Sequence, residues 1–267
     1  MKATKRKAKK KSSAVNTRLF RERVFNVVPD PIDPRDYSAR SFGIFGQPAL
    51  ASRVDYSRET LSVGDQARTG SCVGWATSYL RAWLQRQSTG TSVRYSARFV
   101  WIAAKEIDPW PLNVMFDGAG TKIRDAFKIM KTHGLARDRL WPFSRSLPDP
   151  RNEQLIKQDA LRHRIGSFYA LNNNDDRRQT LAKVGPFVIG VPVFANWSTI
   201  GSDGVVPDPR GAQRGGHAIL VVGYDDVRKR FKIQNSWTTS WGDRGYGYIS
   251  YSWMENYTWS SWAAARL

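Results

Sequence analysis

Gln66-Ala67-Arg68-Thr69-Gly70-Ser71-Cys72-Val73-Gly74-Trp75-Ala76 holds the one cysteine of a 267-residue chain. A lone cysteine is by default a small, inert hydrophobe, so its surroundings must decide its role. After it, Trp75, Ala76, Tyr79, Leu80, Trp83 and Leu84 fall at the spacing of one buried helix face. Thr69, Gly70 and Ser71 are residue types that start helices. The spacing therefore predicts a helix that begins at Cys72 and runs into the interior. At such a start, unpaired backbone N–H groups and the positive dipole end favour a thiolate over a thiol.

A reactive thiolate needs a base, and the base needs a group to orient its ring. Both residue types occur far downstream. His217 opens the apolar run Ala218–Tyr224 after Gly215 and Gly216, and Asn235 leads Asn235-Ser236-Trp237 behind the alternating stretch Phe231–Gln234. On Gln66, Cys72, His217 and Asn235, in that order, the chain resembles the papain-like cysteine peptidases. The resemblance implies an α+β fold of two lobes: a helical left lobe over about 66–165, a β-barrel-like right lobe over about 166–267, and a cleft between them. It also implies Cys72 as nucleophile, His217 as general base and acid, Asn235 as the group that fixes the ring, and Gln66 as oxyanion donor. Trp237 would shield the His217–Asn235 bond, Gly118 and Gly120 would let a substrate backbone approach, and Pro192, Gly216 and Ala218 would line the pocket for the residue two before the scissile bond. Small walls of that kind admit a bulky apolar side chain. No cofactor or metal is implied. The activity implied is hydrolysis of peptide bonds through an acyl-enzyme. Deamidation or transpeptidation on the same triad, or a silent binding protein of the same fold, are the alternatives.

The helical half shows further start and stop signals. Ser96 is placed to cap a helix through Phe99, Val100, Ile102 and Ala103; Thr121 is placed to cap another carrying Ile123, Ala126, Phe127 and Met130, with Gly134 as its stop. The second half reads as strands: Phe187–Val193 and Ala218–Tyr224 are continuous apolar runs, and Tyr246–Tyr251 alternates.

Upstream of the cysteine motif the character changes twice. Residues 1–28 carry seven cations within the first eleven positions, and the whole chain has a net charge of +19. This segment reads as a disordered basic tail suited to nucleic acid or an anionic surface. Residues 29–60 form an arm in which Pro29, Pro31 and Pro34 alternate with Asp30, Asp33 and Asp36. It either packs as structure or lies over the groove as a built-in inhibitor, and Leu50, Val54 and Tyr56 suggest an edge segment at its end. Residues 61–267 make the catalytic domain. No apolar run approaches the roughly 18 residues of a membrane helix. One cysteine excludes internal disulfides and points to a reducing compartment, hence to a cytoplasmic monomer acting on peptides or proteins.

Overall fold

Cys72 opens α1 (Cys72–Thr89), the helix on which the left lobe is built. The computed structural model describes residue 17 and residues 20–43, 49–108 and 116–265. All six residues of the expected stripe are buried, and so are Val73, Gly74, Thr77 and Ser78 behind them. Its first turns are thus enclosed on every side. Gly74 fits this setting: a Cβ there would lie 2.1 Å from the carbonyl oxygen of Ala97. The low helix propensity of Val73-Gly74 is offset by that close crossing with α2 (Ala97–Ile107), where Ser96 accepts from the N–H of Phe99 at 3.0 Å as its sequence position predicts.

The third helix corrects one detail. α3 (Ile123–Thr132) buries Ile123, Ala126, Phe127 and Met130, but Lys122 is its N-cap and offers no side-chain bond. The Thr121 hydroxyl instead donates to buried Asp108 at 2.7 Å, and Asp108 also pairs with Lys105 at 3.0 Å. A carboxylate already desolvated beside a cation is the stronger acceptor. α4 (Glu153–Leu161) completes the left lobe.

The right lobe is an antiparallel sheet of β1 (Arg53–Asp55), β2 (Phe168–Ala170), β3 (Phe187–Phe194), β4 (Gln213–Asp225), β5 (Arg230–Gln234), β6 (Tyr246–Ser250) and β7 (Ser260–Ala264). The order is β2-β7-β3-β4-β5-β6, and β1 pairs with the outer end of β4 as the edge segment expected around Val54. The sheet is open, with β2 and β6 as its two ends, rather than a closed barrel. β4 is apolar without alternation because both of its faces are covered. Ala218, Leu220 and Val222 enter the core shared with the helical lobe, whereas Ile219 and Val221 enter a second core. That second core is covered by two helices that the strand-like reading of this half does not contain, α5 (Asn174–Lys183) and α6 (Tyr251–Tyr257). Asn173 caps α5 and Ser250 caps α6, each by a side-chain oxygen.

The arm is tied to the body along its acidic run. Arg124 at the start of α3 donates to Asp33 at 2.7 Å and to Asp36 at 2.6 Å, and Trp262 of β7 donates to Asp30 at 2.7 Å. The expected tail, by contrast, stops short of residue 28. Residues 20–27 are packed, with Phe20 and Val27 buried, while the seven-cation segment lies outside the described residues.

Candidate active site

The cysteine loop and β4 meet at the N-terminus of α1. Cys72 and His217 are both fully buried. The backbone N–H of Ala218, which follows His217 in β4, and that of Val73 lie near enough to the Cys72 sulfur to favour its charged form. Cys72 on α1 and Ala218 on β4, the neighbour of His217, share one core, so the two residues come from opposite lobes where α1 abuts the sheet.

Protons on the ring can be assigned from its partners. Asn235 Oδ1 accepts from the N–H of Ser236 at 2.7 Å and lies 2.8 Å from His217 Nε2. An atom already accepting from an N–H is an amide oxygen, so Nε2 carries the hydrogen. In the neutral ring Nδ1 then holds the lone pair. Nδ1 is buried and makes no hydrogen bond among the described residues. Trp237 stacks on the imidazole at 4.6 Å between ring centroids and 27° between planes, covering the His217–Asn235 bond.

Gln66 is fixed from three directions. Its Oε1 accepts from Ser236 Oγ at 2.8 Å and from Trp237 Nε1 at 3.1 Å, and its Nε2 donates to the carbonyl of Thr69 at 2.9 Å. Indole nitrogen only donates, so the amide cannot be reversed. Ala67 follows in the left-handed region with φ 50°, stabilised by an N–H bond to Asp65 Oδ1 at 2.8 Å. Ser236 and Thr69 are parts of this site with no separate signal in the sequence beyond adjacency to Asn235 and Cys72.

Electrostatics in this conformation differ from those expected of a helix-start thiolate. Burial pushes the Cys72 thiol up to about 11, outweighing the N–H groups near its sulfur. Burial likewise holds the His217 imidazole down to about 4; the bond to Asn235 opposes this, and the positive charge of Arg23 adds to it. Desolvation of both partners favours the neutral pair over thiolate and imidazolium. Residues 20–27 pack beside this pair, against Trp237, Gly118 and Gly216.

Phe20 and Phe25 pack on Trp237 with ring centroids 6.5 and 5.7 Å away. Asn26 bridges the two walls: its backbone runs parallel to β4 at Gly216, and its side-chain amide donates to the carbonyl of Gly118. The N–H of Val27 donates to Gly216 O at 3.2 Å, and Gly216 N–H donates to Phe25 O at 3.3 Å. Three glycines are needed for this approach. A Cβ on Gly120 would lie 1.9 Å from Asn26 O, one on Gly215 2.0 Å from Phe25 O, and one on Gly216 2.0 Å from Val27 O. Gly118 differs, since a Cβ there meets nothing within 4 Å, and it contributes only its carbonyl. Pro192 pairs with Gly216 across β3 and β4, and Ala218 sits opposite Gly190, so these residues share the groove-facing side of the sheet. Gln66, His217, Asn235 and Trp237 are thus joined by direct contacts, Cys72 follows Thr69 by three residues, and Pro192, Gly216 and Ala218 lie on one face of the sheet with Gly120 across Asn26 from them.

A family model described as "Papain family cysteine protease" matches residues 50–264. The chain belongs to that family. Among solved structures, xylellain, a cysteine protease from Xylella fastidiosa, superposes with a TM-score of 0.78 at 27% identity, covering 91% of this chain and 96% of that one. Procathepsin B from Trypanosoma congolense shares the fold with a TM-score of 0.71 at 17% identity, covering 94% and 88%. An uncharacterised peptidase C1-like protein of Acanthamoeba polyphaga mimivirus is 25% identical over 210 residues, 73% of this chain and 66% of that protein. Cathepsin L1 of Drosophila melanogaster is 24% identical over 207 residues, 74% of this chain and 53% of that protein. The chain spans less than two thirds of the length of these curated relatives. The family match begins at residue 50, so the groove-filling segment of this papain-family chain lies upstream of it.

Proposed function

We propose that this protein is a thiol-dependent peptidase that hydrolyses peptide bonds through Cys72, His217 and Asn235, and that residues 20–27 keep it latent. The observation that carries the reading is the assigned ring: Nε2–H is held by Asn235, and Nδ1 keeps a bare lone pair. With the cleft open to substrate, Nδ1 takes the Cys72 proton as the sulfur bonds to the peptide carbonyl carbon. The oxygen becomes an oxyanion, for which Cys72 N–H and the second Nε2 hydrogen of Gln66 are the donors. As the tetrahedral adduct collapses, the C–N bond breaks and Nδ1–H protonates the departing amine. Water then attacks the thioester, giving its proton to Nδ1, and the carboxylate leaves as the thiol re-forms. Asn235 keeps Nε2–H engaged throughout, so the ring does not rotate between steps.

Latency follows from the same geometry. Residues 20–27 contact both walls of the groove, and burial of Cys72 and His217 removes the solvation that an ion pair requires. Hydrolysis of an internally quenched peptide by a chain starting at residue 28, absent in its Cys72→Ser variant, supports the reading; a folded chain that cuts no peptide and whose Cys72 resists thiol reagents refutes it. We further propose a reducing, cytoplasmic setting and attachment of the basic N-terminal segment to nucleic acid. Binding there weakens with added salt if the attachment is electrostatic.

A further inference from the structure

The groove holds a bound cation. Phe20 and Phe25 both pack on Trp237, whereas the bonds to Gly216 come from Phe25 and Val27, so Arg23 lies toward the Trp237 side of the Gly216 contacts. Gly216, Ala218 and Pro192 flank the acyl side of the proposed scissile bond, so Trp237 and the residues beside it flank the departing amine. On that side Arg23 Nη1 donates to Asp65 Oδ1 at 2.5 Å and to the Ala67 carbonyl at 2.7 Å. The Arg23 side chain is 3% exposed, whereas that of Asp65 is 45% exposed, so the carboxylate belongs to the rim of the body and the guanidinium is the inserted part.

The receiving groups are preset. Asp65 pairs with Trp237 through a backbone bridge, and its Oδ1 is fixed by the N–H of Ala67. Ala67 takes a left-handed conformation between them, which turns its carbonyl toward the same cation. Arg23 also acts on His217, whose imidazole is driven down by burial first and by this charge in addition, so the cation sits within electrostatic reach of the ring that protonates the leaving group.

We propose that Asp65 and the Ala67 carbonyl form a subsite for a cationic side chain on the leaving-group side of the scissile bond, which Arg23 fills while the arm is in place. The substrates selected are polypeptides with Arg or Lys in the first two positions after the cut. Both contacts converge on one nitrogen, a point-charge arrangement that an ammonium satisfies as well as a guanidinium. The assignment rests on the peptidase reading and adds substrate class to it.

The full-length chain is assayed on quenched peptides identical before the cut and carrying Arg, Gln or Glu in turn after it. The ratio of kcat/KM values does not depend on what fraction of the chain is open. The expected order is Arg above Gln above Glu, with Arg over Glu by about tenfold for a half-exposed charge pair. In Asp65→Asn the ratio falls toward one, and in Asp65→Lys it inverts. Independently of turnover, Arg23→Gln and Asp65→Asn each speed alkylation of Cys72, and the double variant is no faster than the quicker single, because both remove one contact. Peptides cut without a basic preference, a ratio retained in Asp65→Asn, or additive alkylation rates overturn the subsite while leaving the peptidase standing. Failure of every peptide, with Cys72 still alkylated, overturns the peptidase reading and the subsite with it.

Discussion

Gln66 shows how one side chain is made to serve the site. Three bonds immobilise its amide, two of them from Ser236 and Trp237 on the facing lobe, so its remaining N–H is aimed without further ordering when charge develops. Gln66→Ala is expected to lower kcat by about 10²–10³-fold, a loss of roughly 2.7–4 kcal/mol of transition-state stabilisation, with a much smaller change in KM. Single-turnover kinetics on the arm-free chain measure this; a raised KM at intact kcat contradicts the role. At this scale the sequence names Gln66, His217 and Asn235, which lie in one hydrogen-bonded and stacked cluster with Trp237, but says little of their charge. Order and residue type pointed to Gln66, Cys72, His217 and Asn235. The helix-start argument led to a thiolate, whereas the sulfur is a thiol raised to about 11 by burial. Burial of a reactive group depends on what covers it, and nothing local to Cys72 reports the presence of Arg23, Asn26 and Val27.

Among elements, those made by apolar periodicity were the legible ones. The stripe from Trp75 to Leu84 and the unbroken run in β4 dictate α1 and the central strand by themselves. α5 is not legible because its sequence, Asn174–Lys183, is almost wholly polar; it forms because Asn173 caps it and because Leu181 and Ala182 reach the second core. The arm fails in the same way. Residues 20–27 follow a run of lysines and show no strand or helix period, and their order comes from surfaces distant in sequence: Trp237, Gly118 and Gly216. Their removal tests them as an element. A chain beginning at residue 28 keeps the Arg124 anchor to Asp33 and Asp36 and β1, and so is expected to retain its fold. Its Cys72 is expected to react with a small alkylating reagent at least about tenfold faster than in the full chain, since each 1.4 kcal/mol of arm binding is a factor of ten in the open fraction. Equal rates in the two chains contradict latency.

For the whole molecule, the two cores share one sheet and the proposed catalytic pair is buried, so stability and the proposed chemistry are linked through protons. His217 titrates near 6.5 when solvated and at about 4 in the closed fold. Between those values the unfolded chain binds a proton that the folded chain does not, so stability rises with pH across this window and is lost as pH falls from 6.5 toward 4, by up to about 3 kcal/mol. Calorimetry from pH 7 to pH 4 should show a falling Tm, with part of the slope removed in His217→Gln; an unchanged slope in that variant contradicts the assignment.

The central claim is that Cys72 becomes nucleophilic only through His217 once the cleft is open, and intact-mass analysis after exposure to an epoxide thiol inhibitor tests it most directly. In the chain beginning at residue 28, a single adduct on Cys72 that vanishes in His217→Ala is the expected result. A folded chain that forms no adduct, or one that forms it equally well without the imidazole, contradicts the account.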